Sequence, residues 1–198
     1  KMSVFNYEVE LVNPQFTLTS DTLRYNTATK IANIVGPSDI DSDENHIYSE
    51  LGYYYTQQGQ AELLNRSVLS NGGKTMVGDS LFYDRNKGVG EAFYNVEFVD
   101  TINKNMLTGN YCYYNQKVGR AFATDEAMAV DFSQGDSLFI HADTLQMFTF
   151  NLDTDSVFRE ARAYHKVRFY RSDVQGVCDS LVFSAKDSCL TMYRDPIL

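Results

Sequence analysis

The sequence contains no tryptophan and only three each of cysteine, proline and histidine in 198 residues. Three cysteines are too few for the disulfide framework of a small secreted domain, so we expect Cys112, Cys178 and Cys189 to be unpaired thiols. No apolar run approaches the roughly 20 residues that a membrane-spanning helix needs. These shortages argue against a disulfide-stapled fold and against a helical membrane span in the printed sequence.

Basic residues are also in the minority. Lys and Arg number 17 against 26 Asp and Glu, a net charge of −9, so the chain repels a polyanion such as DNA or RNA. We therefore expect no nucleic-acid partner. One cationic stretch runs from Arg159 to Arg171, in which Arg162, Lys166 and Arg168 alternate with apolar residues. This stretch predicts a solvated face, with contact to anionic head groups or to an acidic partner as the alternative.

Residues that usually carry catalysis are scattered. His46, His141 and His165 are far apart, and the sequence has no nucleophile elbow, no Cys-x-x-Cys pair and no phosphate-cradling glycine loop. An active site would break the regularity of the chain with a cluster of titratable groups. The sequence therefore predicts a protein that is not an enzyme and needs no cofactor and no metal ion.

The nearest approach to a metal site is an acidic stretch with oxygen-bearing side chains at alternate positions. Its members are Asp39, Asp41, Asp43 and Asn45, with Glu50 eleven places after the first. A calcium loop wants this spacing but also a glycine at its sixth position, where this chain has Glu44. We interpret the stretch as a solvated acidic turn.

A seven-residue phrase returns six times along the chain. It begins with a small residue, continues with a carboxylate or amide and usually a hydroxyl residue, and then has an aliphatic and, two places on, an aromatic residue. The copies are SDTLRYN (20–26), SELGYYY (49–55), GDSLFYD (78–84), GNYCYYN (109–115), ADTLQMF (142–148) and CDSLVFS (178–184). Their second positions, 21, 50, 79, 110, 143 and 179, are separated by 29, 29, 31, 33 and 36 residues. A period of this size indicates the stacking of one supersecondary unit.

Within each unit the apolar residues alternate. In the third unit Leu81 and Tyr83 alternate with Ser80 and Phe82, and a turn leads to further alternating runs up to Phe98. Period two is typical of strands, and no apolar pattern of helical period is sustained. We predict an all-β protein of about six three-stranded repeats, arranged as two facing antiparallel sheets.

The acidic or amide position of each phrase has a structural interpretation. Asx side chains bond nearby backbone N–H groups where a chain enters a strand, so we expect one such residue at the start of a strand in each unit. The Asp-Ser/Thr-aliphatic triplets at Asp21, Asp79, Asp143 and Asp179 also match an O-glycosylation acceptor of some Gram-negative periplasmic proteins. Strand architecture explains them first.

The phrases, each followed by a Gly-centred turn and an alternating strand, resemble the OstA-like family. That family includes the periplasmic lipopolysaccharide-transport proteins LptA and LptC and the N-terminal domain of LptD. The resemblance extends from about Phe16 to Leu198 and is sharpest in residues 78–100, GDSLFYDRNKGVGEAFYNVEFVD. The second copy departs from the pattern at Leu51 and Gly52, and the fifth unit is lengthened around residues 151–156.

The resemblance implies a twisted β-jellyroll, open at its ends, that shields lipid acyl chains between its sheets as part of a bridge across the periplasm of a Gram-negative bacterium. The side chains that the alternation places on the inner face then form the expected lipid-binding wall. Its residues are Leu23, Tyr25, Leu81, Tyr83, Val96, Phe98, Tyr114, Met128, Val130, Leu145, Met147, Val167, Phe169, Leu181 and Phe183. The same residues would equally fill the dry core of an ordinary sandwich.

The resemblance also implies partners: lipopolysaccharide or a related lipid, and other OstA-like domains joined end to end by strand addition. The candidate joining edges are the first strand, Val4 to Val12, and the segment near Ile197. We expect residues 1–198 to form a single domain of a chain that continues past Leu198.

Two other function classes stay open. A structural or adhesive β-stack would bind no lipid and would make its contacts with the outward face. A carbohydrate-binding jelly roll would place exposed aromatics beside Asp or Asn residues, and Tyr53, Phe82 and Tyr113 are outward aromatics by parity.

Overall fold

The fold is a meander of thirteen antiparallel strands, seen in a computed structural model that describes residues 2–42, 45–133 and 135–198. The strands form one sheet in sequence order, so every strand is hydrogen-bonded to its neighbours in the chain. They are β1 (Met2–Asn13), β2 (Phe16–Asn26), β3 (Ile31–Ser42), β4 (Asn45–Tyr55), β5 (Gln60–Asn71), β6 (Lys74–Asp84), β7 (Val89–Asp100), β8 (Asn105–Asn115), β9 (Arg120–Asp131), β10 (Leu138–Phe150), β11 (Phe158–Arg171), β12 (Val174–Ser184) and β13 (Cys189–Tyr193). No helix in the described ranges is long and apolar enough to cross a membrane.

Each strand from β1 to β12 is interrupted near its middle. The pairing register shifts there between every two neighbours, from β1 and β2 through β11 and β12. On five of the odd-numbered strands the interruption is a pair of consecutive residues with left-handed φ between 45° and 68°. These pairs are Tyr7–Glu8, Asn65–Arg66, Tyr94–Asn95, Asp125–Glu126 and His165–Lys166. Such bulges bend a strand sharply, and here they line up across the sheet.

The sheet is folded over along this line of bulges. Phe98 of β7 pairs with Leu107 of β8, and Tyr114 lies seven residues farther along β8. Seven residues of straight strand span about 23 Å. The rings of Phe98 and Tyr114 are nevertheless only 5.6 Å apart between centroids, so β8 doubles back on itself. Each strand from β1 to β12 therefore contributes its first half to one wall and its second half to the facing wall.

The predicted all-β, jellyroll-like architecture is confirmed, with its two facing layers formed by the two walls of one unclosed sheet. The prediction of three strands per repeat is wrong, because each repeat supplies two long strands. In the third unit the alternating runs on either side of Tyr94 belong to one strand, β7, which bends at its bulge. In a bent strand the alternation of inward and outward side chains is interrupted once, at the bulge. In the sequence, one such strand therefore resembles two short strands.

The repeated phrase marks the bend in the even-numbered strands. Its acidic position lies in mid-strand, as Asp79 does in β6, and the expectation of a strand start is wrong. Its first residue is small because the two walls converge there. A Cβ added to Gly78 would lie 3.2 Å from the Cβ of Ala92, and one added to Gly109 would lie 2.9 Å from the carbonyl oxygen of Thr124.

Candidate functional site

The space between the walls is filled with apolar side chains near the bend. Most of the side chains expected to bind lipid lie between the walls, near the bend or, for Tyr83 and Phe98, toward the strand ends. They are at most 8% exposed: Leu23, Leu81, Tyr83, Val96, Phe98, Leu145, Val167, Phe169 and Leu181. Tyr25, Tyr114 and Met147 face the same interior but are half-buried, and Phe183 is 38% exposed. The walls are thus in close contact along the bend, and the interior there is a packed core.

Two of the expected lining residues lie on the outer face. Ala127 and Ala129 of β9 pack in the interior, and Met128 and Val130 alternate with them. The outward position of Met128 and Val130 corrects the parity inferred from the sequence. Val130 is still buried, since it sits between its cross-strand partners on β8 and β10.

Away from the bend the walls diverge around a cleft of about 870 Å³. Its floor includes Tyr83, Phe98, Ala121 and Met147, and it opens between two rows of loops. One row joins each odd strand to the next even strand, and the other joins each even strand to the next odd strand. The rows approach each other closely: Arg85, after β6, donates a hydrogen bond to the backbone oxygen of Gln15, before β2, at 3.1 Å.

The rim of this cleft carries cations of which the sequence singled out only Arg159, the first residue of the cationic stretch. Lys74, Arg85, Lys117 and Arg159 line it, together with the carboxylates of Asp100 and Asp153. These cations are spread over 85 positions of the chain and gather only because the sheet folds over. For Arg85, Lys117 and Arg159 the sequence signal is a Lys or Arg in or beside the turn that follows an even strand, and Lys74, the first residue of β6, lacks this signal.

The predicted head-group residues lie elsewhere. The Lys166 ammonium is 3.2 Å from the Asp143 carboxylate at the outer side of the bend, and Arg168 is exposed on the outer face. Arg162 donates to Glu160 and lies over the ring of Phe148. Two of these three cations thus already have a carboxylate partner, and none lines the cleft.

The acidic positions of the repeat bind the bulge residues of the neighbouring odd strands. Asp79 accepts a hydrogen bond from the Asn95 side chain at 2.7 Å, and Glu50 accepts one from Asn65 at 3.2 Å. The Asn110 side chain accepts from the backbone N–H of Asn95 at 3.4 Å, which is the kind of backbone bond expected for this position. These acidic or amide residues therefore hold the bulges in place, which is a structural role.

A histidine side chain contacts the acidic residues of β3. His46 Nδ1 lies 2.8 Å from Asp41, and His46 Nε2 lies 3.4 Å from Asp39. Asp43 and Glu44 are outside the described residues. Among the residues that are described, no group of three or more His, Cys, Asp or Glu side chains is arranged to hold a metal ion.

The outward aromatic residues stack on one another. The ring of Tyr113 is stacked on Phe122 at 5.2 Å, and the Arg120 guanidinium lies over Phe122 and Phe148. A carbohydrate-binding platform needs ring faces that are free to stack on a sugar. Here neighbouring side chains cover faces of Tyr113 and Phe122, which disfavours a sugar platform at Tyr113, whereas Tyr53 is 42% exposed.

Comparison with known proteins finds a matching family and similar solved structures, and one search without a match. The sequence matches the profile of OstA-like proteins over residues 1–62 and 41–128. The structure is similar to LptH, the LptA-homologous periplasmic component of the lipopolysaccharide transport device of Pseudomonas aeruginosa, with a TM-score of 0.51 at 12% identity. The aligned part covers 63% of this chain and 94% of LptH. A search of curated proteins found no match.

Proposed function

Because this chain belongs to the OstA-like family, we propose that it binds lipopolysaccharide in the periplasm of a Gram-negative bacterium and passes it on as part of a transport bridge. The observation that carries the proposal is the shape of the folded sheet. Its walls diverge around a cleft that has an apolar floor and is open to solvent along one side. Once the walls separate there, an acyl chain can lie on that floor while a bulky polar group stays outside.

The energetics favour such a carrier. Each methylene of an acyl chain that is exposed to water costs about 0.8 kcal/mol, so a lipid with several chains needs a continuous apolar path. Phe98 and Met147 belong to different parts of the chain but to the same cleft floor, which runs across neighbouring strands. A path across strands can continue from one stacked unit to the next.

Loading the lipid requires the walls to separate. At the cleft the walls touch through the rings of Phe98 and Tyr114 and through a 3.1 Å hydrogen bond from Lys74 to the Tyr114 hydroxyl. Hydrogen bonds from Arg85 to Gln15 and from Arg159 to Asn103 join the two rows of loops above. These contacts are few compared with the packed core at the bend. We propose that acyl chains enter by replacing these contacts, and that Leu81 and Leu145 stay packed in the core at the bend.

The sheet edges suit the proposed end-to-end assembly. β1 bonds only to β2 among the described residues, so its other edge is open. It exposes several apolar side chains, with Val4 55% and Val12 70% exposed. An open apolar edge is a template for an added strand. The partner we propose is another OstA-like domain.

We further propose that the protein acts without catalysis. Its buried carboxylates, Asp84 and Asp100, accept hydrogen bonds that hold turns, and its titratable residues at the bend hold bulges. A passive carrier needs only the apolar path and the joined edges.

Site-specific photo-crosslinking in Gram-negative cells tests this function. A photoreactive residue at Phe98 or Met147 faces the cleft, whereas one at Glu97 or Gln146, the preceding positions, faces outward. We expect lipopolysaccharide adducts at Phe98 and Met147 and few at Glu97 and Gln146. Equal labelling at both kinds of position, or none at any, would favour a structural or adhesive β-stack.

A further inference from the structure

The rim of the cleft is positively charged although the chain is acidic. Five cationic residues line it; Arg120 turns its guanidinium over Phe122 and Phe148, and the other four stand against two carboxylates, while the whole chain carries a net charge of −9. One of the two carboxylates, Asp100, is buried and already accepts hydrogen bonds from the backbone and the side chain of Asn103. The local excess of positive charge therefore lies on the open side of the cleft.

The rim cations are held by neutral oxygen atoms. Lys74 donates to the Tyr114 hydroxyl, Arg85 to the backbone and side-chain oxygens of Gln15, Lys117 to the backbone oxygen of Asn86, and Arg159 to the side-chain oxygen of Asn103. Across the part of the chain that the structure describes, no ion pair includes any of these four. Their charges are thus positioned by the fold and not neutralised by it.

The cations come from both sides of the opening. Lys74 begins β6 in the odd-to-even row of loops, whereas Arg85, Lys117 and Arg159 lie in or beside loops of the even-to-odd row. A group sitting between the rows would meet positive charge on both flanks. Directly beneath it lies the apolar floor of Phe98 and Met147.

An apolar floor under a cationic rim fits an amphiphile with an anionic head. We propose that Lys74, Arg85, Lys117 and Arg159 bind the phosphate groups of an acylated lipid whose chains occupy the cleft. Phosphate is the anion of choice because guanidinium and ammonium groups both bind it through charge-assisted hydrogen bonds. This inference rests on the proposed function, deepens it, and moves the head-group contact from the outer face to the rim.

Two double variants of equal charge test the assignment. Lys117→Gln with Arg159→Gln removes two exposed rim cations, and Lys166→Gln with Arg168→Gln removes two exposed cations of the outer face. Binding is measured for bis-phosphorylated lipid A, for the same lipid with its phosphates removed, and for inorganic pyrophosphate. We expect the unchanged protein to prefer the phosphorylated lipid by about tenfold or more, since each exposed charge pair contributes up to about 1 kcal/mol.

The rim variant, which keeps Lys74 and Arg85, should lose most of this preference, and the outer-face variant should keep all of it. Equal binding of the two lipids by the unchanged protein would overturn the rim assignment and leave lipid transport standing, as would an equal loss in both variants. Failure to bind either lipid would overturn the proposed function itself. Tight binding of pyrophosphate that no lipid displaces would assign the rim to a small phosphate ligand and would overturn the lipid assignment.

Discussion

At the scale of single residues, the buried carboxylate of Asp84 shows how a turn is fastened to a strand. It ends β6 with a side chain only 3% exposed and accepts hydrogen bonds from Gln60 at 2.8 Å and from the backbone N–H of Lys87 at 3.0 Å. Burial by itself would raise the pKa of Asp84. These bonds and the Lys87 ammonium outweigh burial, so the pKa lies below its ordinary value.

Asp84→Asn should therefore destabilise the protein in a pH-dependent way. A carboxyl group whose pKa is lowered by folding stabilises the native state above its unfolded pKa, and this contribution is lost as pH falls through the folded pKa. We expect a loss of about 1–3 kcal/mol at pH 7 that shrinks toward pH 3, measured by urea unfolding. Asp155→Asn, in an exposed loop, is the control and should change little. A loss that is independent of pH would contradict the assigned role.

The three free thiols should differ in reactivity. Cys112 and Cys178 are buried and Cys189 is exposed, and burial raises the pKa of Cys112 to about 12. The thiolate is the form that reacts with alkylating reagents. Cys112 should therefore react slowly for two reasons: the reagent cannot reach it, and its thiol stays protonated. Mass spectrometry after brief alkylation should find Cys189 labelled first and Cys112 labelled only after unfolding. Rapid labelling of Cys112 would mean that the interior opens easily.

At the scale of the element, the bend decides where small residues are needed. Gly109 lies where β8 turns from one wall to the other, and an added Cβ would meet the backbone oxygen of Thr124 at 2.9 Å. Gly90 also faces the interior, but its added Cβ would lie 3.7 Å from Leu69 and 3.8 Å from Met76, which is ordinary contact. The two positions form a matched pair.

Gly109→Ala should destabilise the protein by about 1–3 kcal/mol, because backbone must move to accept the methyl group. Gly90→Ala should be close to neutral. Urea unfolding of both variants gives the comparison. Equal stability of the two would show that the walls do not converge at Gly109.

The sequence predicted the period and the interior face of the even strands, because Leu81 and Tyr83 recur in equivalent places in most repeats. It did not predict the bend. Pairs such as Tyr94–Asn95 are ordinary polar or aromatic residues, and their left-handed φ values are imposed by neighbouring strands that shift register at the same level. The outward position of Met128 was missed for a related reason: apolar residues occur on both faces of β9 after its bulge.

At the scale of the whole molecule, function depends on residues that the fold brings together. The rim cations from Lys74 to Arg159 lie in or beside separate turns, and only the folded sheet shows that these turns meet at one cleft. The edge strand β1 is different, since its alternating pattern was visible in the sequence as a candidate joining edge.

Charges on that edge should weaken association between copies or with related domains. Val4→Lys with Val12→Lys places two ammonium groups on exposed positions of β1, where a new strand would have to bury them. We expect the apparent dissociation constant for association to rise about tenfold or more, measured by analytical ultracentrifugation, with little change in unfolding free energy. Val118→Lys, 61% exposed in a loop, should leave association unchanged. Unaltered association of the β1 variant would exclude this edge as the joint.

The central claim, that lipopolysaccharide acyl chains lie between the two walls, is tested most directly by native mass spectrometry of protein purified from a Gram-negative envelope. The unchanged protein should carry a mass increment equal to one lipopolysaccharide molecule. Met147→Asp puts a carboxylate on the cleft floor, where it costs several kcal/mol against an acyl chain, and should abolish the increment. Gln146→Asp puts the same charge on the outer face and should retain it. Absence of the increment from the unchanged protein, or its survival in both variants, would contradict the account.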